Sequence, residues 1–330
     1  MLSTITQSSE PALRAIPLEN IRAATLTDFD LFIVDRAAGT KGRCVLYHRQ
    51  NLPIREEHLR RLTDTGVHTL YIHPEDARKY SRYLEQNLEN ILHDETRDVS
   101  EKAGVIYEAA SGLVEDVFHD PSSPKSMQRS ESLVNHTITY LVKERDSVRQ
   151  FLMTMVSDYT TYTHSVHVCV YSLALARRLG LGADGLHELG VGALLHDVGK
   201  MKVDPRILQK KGPLSADEWR VVKLHPDLGV RMLRGSGGLS ETVYTIVHQH
   251  HEKCNGSGYP ARRYGFDIHP FARIACLVDV FDALTTNRSY KRAMTAHDAL
   301  KLMREEMDGC FEPDKWRELV LLLGDHDQHS

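Results

Sequence analysis

The chain of 330 residues is predicted to have an α+β fold, with a small α/β unit first and an all-α helical bundle after it. Three observations predict this fold. Short segments typical of strands precede Pro74, and from there on apolar residues recur at helical spacing. A hydrophobic content of 41% supplies a substantial core, and the length favours two domains.

The N-terminal unit mixes both kinds of element. We predict strands over residues 29–34, 43–47 and 67–72, a helix over 55–65, and a loose polar segment before them. The unit has neither the phospho-acceptor arrangement of a receiver nor a glycine-rich phosphate loop. Its role is left open among binding of a ligand, binding of a partner protein, self-association and stabilisation.

Helical patterns follow over residues 74–93, 101–118 and 131–155, and a turn-rich segment at 120–124 separates the last two. After residue 155 the chain is predicted to be helical, with glycines as interruptions. Ser215-x-x-Glu218 fits a capping box at the start of a helix that carries Trp219 and His225. The glycine-rich and aromatic segment 252–269 is predicted to be a loop.

A histidine followed by an aspartate, His196-Asp197, is the most informative dipeptide. Histidine nitrogens and carboxylate oxygens are ligands for divalent transition metals, and a carboxylate has two oxygens with which to bridge two ions. Other metal-capable side chains lie on or beside predicted helices, and a helical bundle can bring such side chains together. The whole set is His164, His196, Asp197, His225, His250, His251 and Asp279.

Five short motifs follow in order along the chain: His-Asp-x-Gly-Lys at 196–200, His-Pro at 225–226, His-His-Glu at 250–252, Gly-Tyr-Pro at 258–260 and Arg-Ser-Tyr-Lys at 288–291. Together with the helix that carries Asp279, they resemble the HD-GYP domain over roughly residues 150 to 320. The resemblance implies an all-α HD-type catalytic domain. We therefore predict a regulatory α/β domain over 1–95, a helical linker over 96–150 and a catalytic domain over 151–330.

The resemblance implies a bacterial phosphodiesterase that hydrolyses the signalling molecule cyclic di-GMP to pGpG, GMP or both. It implies two divalent metals, with iron or manganese favoured. One metal would be held by His164, His196, Asp197 and Asp279, and the other by His225, His250 and His251, with Asp197 as a bridge. Because histidine ligands must be neutral, activity is expected to fall below about pH 6.

The resemblance also assigns roles next to the metals. Asp197 and Lys200 would be catalytic, with Lys200 beside the bridging water or the scissile phosphate. Arg288 and Lys291 would bind phosphate oxygens, and Tyr259 would shape the guanine or ribose side of the pocket. The alternatives for the three cations are a neutralised helix end for Lys200 and surface charges for the other two.

Three positions depart from the family pattern. Thr160 stands where some members have a glutamate that binds a third metal, so we expect two metals. Asn255 stands where aspartate is common, next to Cys254 where an aromatic is frequent, and these changes could alter substrate affinity or rate. Ser289 replaces a proline.

Two other functions remain open. One is an HD-type hydrolase of another nucleotide, such as a different cyclic dinucleotide. The other is a weakly active module that binds cyclic dinucleotides or proteins. Residues near the motifs also have two interpretations: Asp282 would orient a ligand or form a structural salt bridge, and His167 and His248 would support the site or be solvated.

Composition limits the location and the partners. A net charge of -4 gives no footprint for polymeric nucleic acid, and no apolar stretch is long enough for a bilayer. The five cysteines lack a metal or disulfide pattern, and with no signal-peptide pattern this favours the cytoplasm. The expected partner is cyclic di-GMP, and protein partners such as diguanylate cyclases and a homodimer are left open.

Overall fold

The computed structural model describes residues 13–35, 43–144, 146–155, 160–287 and 292–327. The chain divides into two compact units, Met1–His93 and Asp94–Ser330. The α+β fold class is confirmed, because a small sheet occupies the first unit and helices make up the second. The boundaries 1–95, 96–150 and 151–330 stay a prediction.

The first unit contains an antiparallel four-stranded sheet in the order β1-β4-β2-β3. Its elements are β1 (Arg14–Pro17), β2 (Leu31–Asp35), β3 (Arg43–His48), α1 (Glu56–Asp64), β4 (Thr69–Ile72) and α2 (Ala77–Leu92). The predicted strands and helices are present. The sequence did not predict β1, because this strand is four residues long and buries only Ile16 deeply.

The core of the first unit is built around Phe29, which is fully buried. Its ring meets the rings of Tyr80 and Tyr83 edge-on, with centroids 6.0 and 5.9 Å apart. Both tyrosines lie on α2, one turn apart, and their hydroxyls accept hydrogen bonds from Asn20 Nδ2 and the Arg22 amide, each at 2.7 Å. The helical spacing of aromatic residues therefore marks the face of α2 that covers the sheet.

The second unit is a helical bundle. Its helices are α3 (Val99–His119), α4 (Pro124–Lys143), α5 (Ser147–Thr154), α6 (Thr161–Arg178), α7 (Ala183–Leu195), α8 (Pro205–Leu208), α9 (Ala216–Val222), α10 (His225–Arg234), α11 (Glu241–Gln249), α12 (Pro270–Thr285), α13 (Ala296–Glu306) and α14 (Pro313–Asp327). At its centre, α6 packs against α7 and α12, and α11 packs against α7, α10 and α12. In the described parts of the chain, no helix combines the length and the apolar character that a membrane crossing needs.

The single helix predicted over 131–155 is wrong, because two helices occupy this region and the first begins earlier. Pro124 lies in the first turn of α4, where its fixed φ suits a helix and its missing N–H costs nothing. Ser123 caps that turn by accepting a hydrogen bond from the Ser126 amide. At the other end the chain leaves the helix, and Asp146 adopts a left-handed conformation just before α5.

The capping box at Ser215 is confirmed, since its hydroxyl and the Glu218 carboxylate bond each other's backbone amides. The prediction that one helix continues to His225 is wrong. Helix α9 ends at Val222, and α10 starts at His225. The cause is Pro226: within a continuous helix it would remove a hydrogen bond, whereas in the first turn of a new helix it removes none.

Candidate metal centre

The structure brings all seven predicted metal ligands together in the second unit. Two groups offer ligand atoms within 4.8 Å of one another: Asp197, His225, His250 and His251 form one, and His164, His196 and Asp197 form the other. Asp279 lies between them, because its Oδ1 is 3.0 Å from His164 Nε2 and its Oδ2 is 3.3 Å from His251 Nδ1. A cluster of this kind requires the packing of five helices.

Three of the histidines lie at helix boundaries, and this location fixes their tautomer. His196 follows α7, His250 follows α11, and His225 is the first residue of α10, three residues after the end of α9. The last carbonyls of a helix have no intrahelical partner, so each of these rings can donate its Nδ1 hydrogen to the carbonyl three residues earlier. The acceptors are Ala193, Val222 and Val247, at 2.7, 2.8 and 2.8 Å. Each ring therefore turns an unprotonated Nε2 towards the centre.

Asp197 lies in the middle of the cluster and is fully buried. Its Oδ1 is 3.3 Å from His225 Nε2 and 3.9 Å from His250 Nε2. Its Oδ2 is 3.4 Å from His196 Nε2 and 3.7 Å from His164 Nε2. One carboxylate oxygen thus faces each pair of histidines, which is the arrangement that a bridging ligand needs.

Burial keeps three of the histidines neutral. It lowers the pKa of His225 to about 4 and that of His251 to about 3, and it holds the pKa of His250 well below its ordinary value. Burial by itself would raise the pKa of Asp197, but the Lys200 ammonium leads the effects that hold that pKa well below its usual range. The centre therefore contains three neutral imidazoles and an ionised carboxylate.

The residues fit divalent metals. His225 Nε2 lies 3.1 Å from His250 Nε2, and since both rings use their hydrogen at Nδ1, two lone pairs face each other. His196 Nε2 and Asp197 Oδ1 are buried and have no hydrogen-bond partner among the described residues. Opposed lone pairs are stabilised by a cation between them, and imidazole and carboxylate ligands suit divalent transition metals.

Asp282 bonds the nitrogen of His164 that faces away from the centre. Its Oδ2 accepts a hydrogen bond from His164 Nδ1 at 2.7 Å, and its Oδ1 accepts one from His167 Nδ1 at 2.8 Å and one from the Thr286 hydroxyl at 3.2 Å. The other nitrogen of His167 lies 3.2 Å from the hydroxyl of Tyr107 on α3. Asp282 therefore orients a candidate ligand, which is one of the two roles predicted for it. Sequence patterns pointed to no role for Tyr107, because its spacing in α3 is that of an ordinary core residue.

The Gly-Tyr-Pro loop forms one wall of the centre. The ring of Tyr259 lies against His251, with centroids 4.6 Å apart, and its centroid is 6.3 Å from that of His225. The Tyr259 amide donates to the His251 carbonyl at 3.2 Å. A Cβ at residue 258 would come within 2.5 Å of that same carbonyl oxygen, so Gly258 is required for the close approach.

Glu252 holds the loop in shape. Its carboxylate is buried and accepts hydrogen bonds from the amides of Ala261 at 2.7 Å and Arg263 at 3.0 Å. The sequence marked this residue only by its place after two histidines. Glu252 differs from His250 and His251 because its oxygens bond amides of the loop and belong to neither ligand group.

Asn255 makes a contact that aspartate could not make. Its Oδ1 accepts hydrogen bonds from the amide and the hydroxyl of Ser257, at 3.1 and 2.7 Å. Its Nδ2 donates to the carbonyl of Asp308 at 3.4 Å, which ties the loop to the turn before α14. Asn255 therefore acts on the loop and lies outside the two ligand groups.

Lys200 lies at the edge of the centre, on the 3-10 turn Val198–Lys202, with Nζ 2.5 Å from Asp197 Oδ2. Its side chain is 16% exposed, so the ammonium is largely shielded from water. Gly199 beside it leaves no space for a Cβ, because such an atom would overlap the carbonyl oxygen of His225. This close approach sets the turn against the start of α10.

Two predicted residues, Arg288 and Lys291, lie outside the described residues. His248 is placed away from the ligand groups, since its Nε2 is 3.1 Å from a carboxylate oxygen of Asp227.

The second unit is therefore a helical bundle whose histidines and aspartates could hold metal ions, which is a recognised class of domain. Residues 147–314 match the family described as HD domain. The chain belongs to the HD domain family.

Three curated relatives are similar to the chain. A cyclic di-GMP phosphodiesterase of Pseudomonas aeruginosa is 34% identical over 224 residues, which is 67% of this chain and 54% of the relative. The 3′3′-cGAMP-specific phosphodiesterase 2 of Vibrio cholerae is 38% identical over 167 residues, 50% of this chain and 31% of the relative. The cyclic di-GMP phosphodiesterase response regulator RpfG of Xanthomonas campestris is 38% identical over 140 residues, 42% of this chain and 37% of the relative. The chain spans about half the length of the first relative and less of the other two.

Among solved structures, an HDG"Y"P protein from Bdellovibrio bacteriovorus has a TM-score of 0.66 and 23% sequence identity. The match covers 94% of this chain and 99% of that chain. At this level of identity the similarity supports the fold alone.

Proposed function

We propose that the protein is a metal-dependent phosphodiesterase that hydrolyses cyclic di-GMP. The observation that carries the proposal is the position of Asp197, whose two oxygens each face a pair of histidines. The order of motifs agrees with it, as does the similarity to proteins named cyclic di-GMP phosphodiesterases.

Two metals would be held by the seven ligands. His164, His196 and Asp279 would hold one with Asp197, while His225, His250 and His251 would hold the other with the same carboxylate. When bound, a pair of divalent ions lowers the pKa of a water molecule and supplies positive charge to phosphate oxygens. We favour iron or manganese.

A two-metal site is favoured over a three-metal site because of Thr160. Its hydroxyl accepts a hydrogen bond from the Thr163 amide at 3.0 Å, and the Thr163 hydroxyl accepts one from the Thr160 amide at 3.0 Å. These bonds form the cap of α6. Thr160 has no carboxylate, and its hydroxyl is already used in the cap, so it supplies no ligand for a third ion.

The reaction adds one water to one phosphodiester. The water oxygen bonds to phosphorus, the bond from phosphorus to the 3′ oxygen breaks, and that oxygen leaves with a proton, so cyclic di-GMP gives linear pGpG. Lys200 would bind a phosphate oxygen, because its ammonium already lies against Asp197 and is largely shielded from water. Tyr259 would close the side of the site next to His251. A second hydrolysis of pGpG would give GMP.

A second candidate substrate is 3′3′-cGAMP. The relative of Vibrio cholerae at 38% identity is named specific for it. The two cyclic dinucleotides differ in one purine, so the reaction at phosphorus would be the same. Comparison of kcat/KM for both substrates on one preparation decides between them.

For the rest of the chain we propose a cytoplasmic protein with a regulatory domain over 1–95, a linker over 96–150 and a catalytic domain over 151–330. Diguanylate cyclases as partners and a homodimer belong to the same proposal. Sedimentation of the purified chain with and without cyclic di-GMP tests the homodimer.

The experiment that tests the function is product chromatography. The protein is reconstituted anaerobically with Fe(II) or Mn(II) and incubated with cyclic di-GMP, and we expect metal-dependent pGpG or GMP. Asp197→Ala should abolish the product. Asp184→Ala is the matched control, because it removes an exposed carboxylate near the start of α7, about 16 Å along the helix from Leu195 at 1.5 Å per residue. Absence of product from fully metal-loaded protein would overturn the proposal.

A further inference from the structure

A row of three side chains leads outward from the metal centre: Tyr259, Lys223 and Trp219. The Lys223 ammonium lies 5.6 Å from the centroid of the Tyr259 ring and 5.9 Å from the centroid of the Trp219 ring. Tyr259 in turn lies against the candidate ligand His251. The ammonium thus lies one aromatic ring away from the metal ligands.

Trp219 contributes little to the core. Its side chain is 47% exposed, although an indole is among the costliest groups to leave in water. Helix α9, which carries it, buries only Val222. The capping box at Ser215 stabilises this short helix and so fixes the backbone from which the indole projects.

Lys223 differs from the neighbouring cations. Lys210 pairs with Glu218, and Arg220 pairs with Asp217. Lys223 is exposed and makes no ion pair with any residue that the structure describes, and its ammonium faces two aromatic rings instead. Such rings hold a cation in place by attraction to their π electrons without neutralising its charge. The ammonium is therefore available to an anion.

We infer that Trp219 and Lys223 form a nucleotide subsite, in which the indole stacks on a purine of the substrate and the ammonium binds the phosphate that is not cleaved. This inference rests on the proposed function. A cyclic dinucleotide has two purines and two phosphates, so when one phosphate lies over the metals the rest of the molecule lies at the rim. Aromatic rings stack on any base, and an adjacent cation binds the backbone.

The first test is steady-state kinetics of the metal-loaded protein with cyclic di-GMP. Trp219→Ala and Lys223→Gln should each raise KM roughly tenfold and leave kcat within about twofold, because stacking on one aromatic ring, or one hydrogen bond from a charged group to phosphate, has about this effect on affinity. Trp219→Phe and Lys223→Arg should restore most of the affinity. Val221→Ala and Arg220→Gln are matched controls, since they remove an exposed apolar group and a cation from the same helix.

The second test measures binding without turnover. The chain has two tryptophans, Trp219 and Trp316, so Trp316→Phe leaves Trp219 as the single reporter. Titration of this variant with cyclic di-GMP in the presence of a chelator should quench the Trp219 fluorescence. Adding Lys223→Gln should shift the midpoint of the quench roughly tenfold to higher concentration.

The two proposals fail in different ways. Suppose that the wild-type protein hydrolyses cyclic di-GMP but KM stays within twofold in Trp219→Ala and Lys223→Gln. The proposed subsite is then contradicted, while the proposed phosphodiesterase activity stands. If the wild-type protein hydrolyses no cyclic dinucleotide, the proposed function is wrong, and the fluorescence titration alone decides the subsite. A saturating titration with no quench overturns the subsite. Unchanged melting temperatures show that these surface variants fold.

Discussion

The Nδ1 atom of His164 lies 2.7 Å from Oδ2 of Asp282, and this contact turns the Nε2 of the same ring towards Asp279 and Asp197. The three histidines at helix boundaries donate Nδ1 to backbone carbonyls instead. His164 lies in the first turn of α6, where no such carbonyl is offered, so a side chain from α12 provides the acceptor. The orientation of one candidate ligand thus depends on the packing of two helices.

Asp282→Asn is expected to weaken metal binding about 10- to 100-fold, the range typical for loss of a carboxylate behind a histidine ligand. In the amide, one of the two oxygens that face His164 and His167 becomes an NH2 group, which donates and cannot accept, so one of the two rings loses its acceptor. Metal affinity is measured by competition with a chelator of known affinity. Asp298→Asn on α13 serves as the control, because that carboxylate bonds Thr295 at the start of its own helix. If Asp282→Asn and wild type bind metal with equal affinity, Asp282 does not orient a metal ligand.

Gly258→Ala is expected to displace the Gly-Tyr-Pro loop. The added methyl group would lie 2.5 Å from the His251 carbonyl oxygen, and overpacking of this kind costs about 1–3 kcal/mol. We expect a lower melting temperature and a higher KM for cyclic di-GMP, with metal content unchanged. The measurements are thermal unfolding, metal analysis and steady-state kinetics.

Gly182→Ala is the matched control, because a Cβ at residue 182 meets no atom within 4 Å and the backbone there is extended. If Gly258→Ala behaves like this control, the close approach of the loop to His251 does not occur in solution.

Asn255→Asp is expected to lower the free energy of unfolding by up to about 1 kcal/mol, the net value of one hydrogen bond. The aspartate would lose the donor that meets the Asp308 carbonyl and would place a negative charge against it. Metal affinity should be unchanged, because Asn255 is outside both ligand groups. Chemical unfolding of the metal-free variant and wild type measures the difference. A variant that unfolds like wild type but loses metal would contradict this account of the loop.

The sequence predicted which candidate ligands come together better than it predicted the residues that support them, for a physical reason. The candidate ligands fall in short motifs. Three of them are oriented by carbonyls three residues earlier, so the local sequence determines the orientation of these rings. Tyr107 and His167 lie 60 residues apart, and His167 and Asp282 lie 115 apart. Their contacts exist only once α3, α6 and α12 pack together. The break between α4 and α5 was missed in the same way, because helical spacing continues across it.

The metal-free protein is expected to lose stability as the pH falls from about 6.5 to about 4. Unfolded histidines titrate near pH 6.5, whereas burial lowers the pKa of His225 to about 4 and that of His251 to about 3. The unfolded chain therefore binds more protons in this window, and the free energy of unfolding falls with pH. For His225 the total loss is on the order of 3 kcal/mol, from about 1.4 kcal/mol per pKa unit. The buried carboxylates add their loss only below about pH 4, near the ordinary pKa of aspartate.

Denaturant unfolding of chelator-treated protein at pH 7 and pH 5 measures this effect. His225→Gln should reduce the difference between the two pH values, because it removes one of the groups that the folded state keeps unprotonated. His136→Gln on α4 removes a histidine outside the metal centre and should leave the difference as in wild type. The ordinary histidine pKa predicts loss of activity below about pH 6, and the low pKa values of His225 and His251 move proton competition with metal to lower pH. An unfolding free energy that is the same at pH 7 and pH 5 would mean that these rings are not kept neutral by burial.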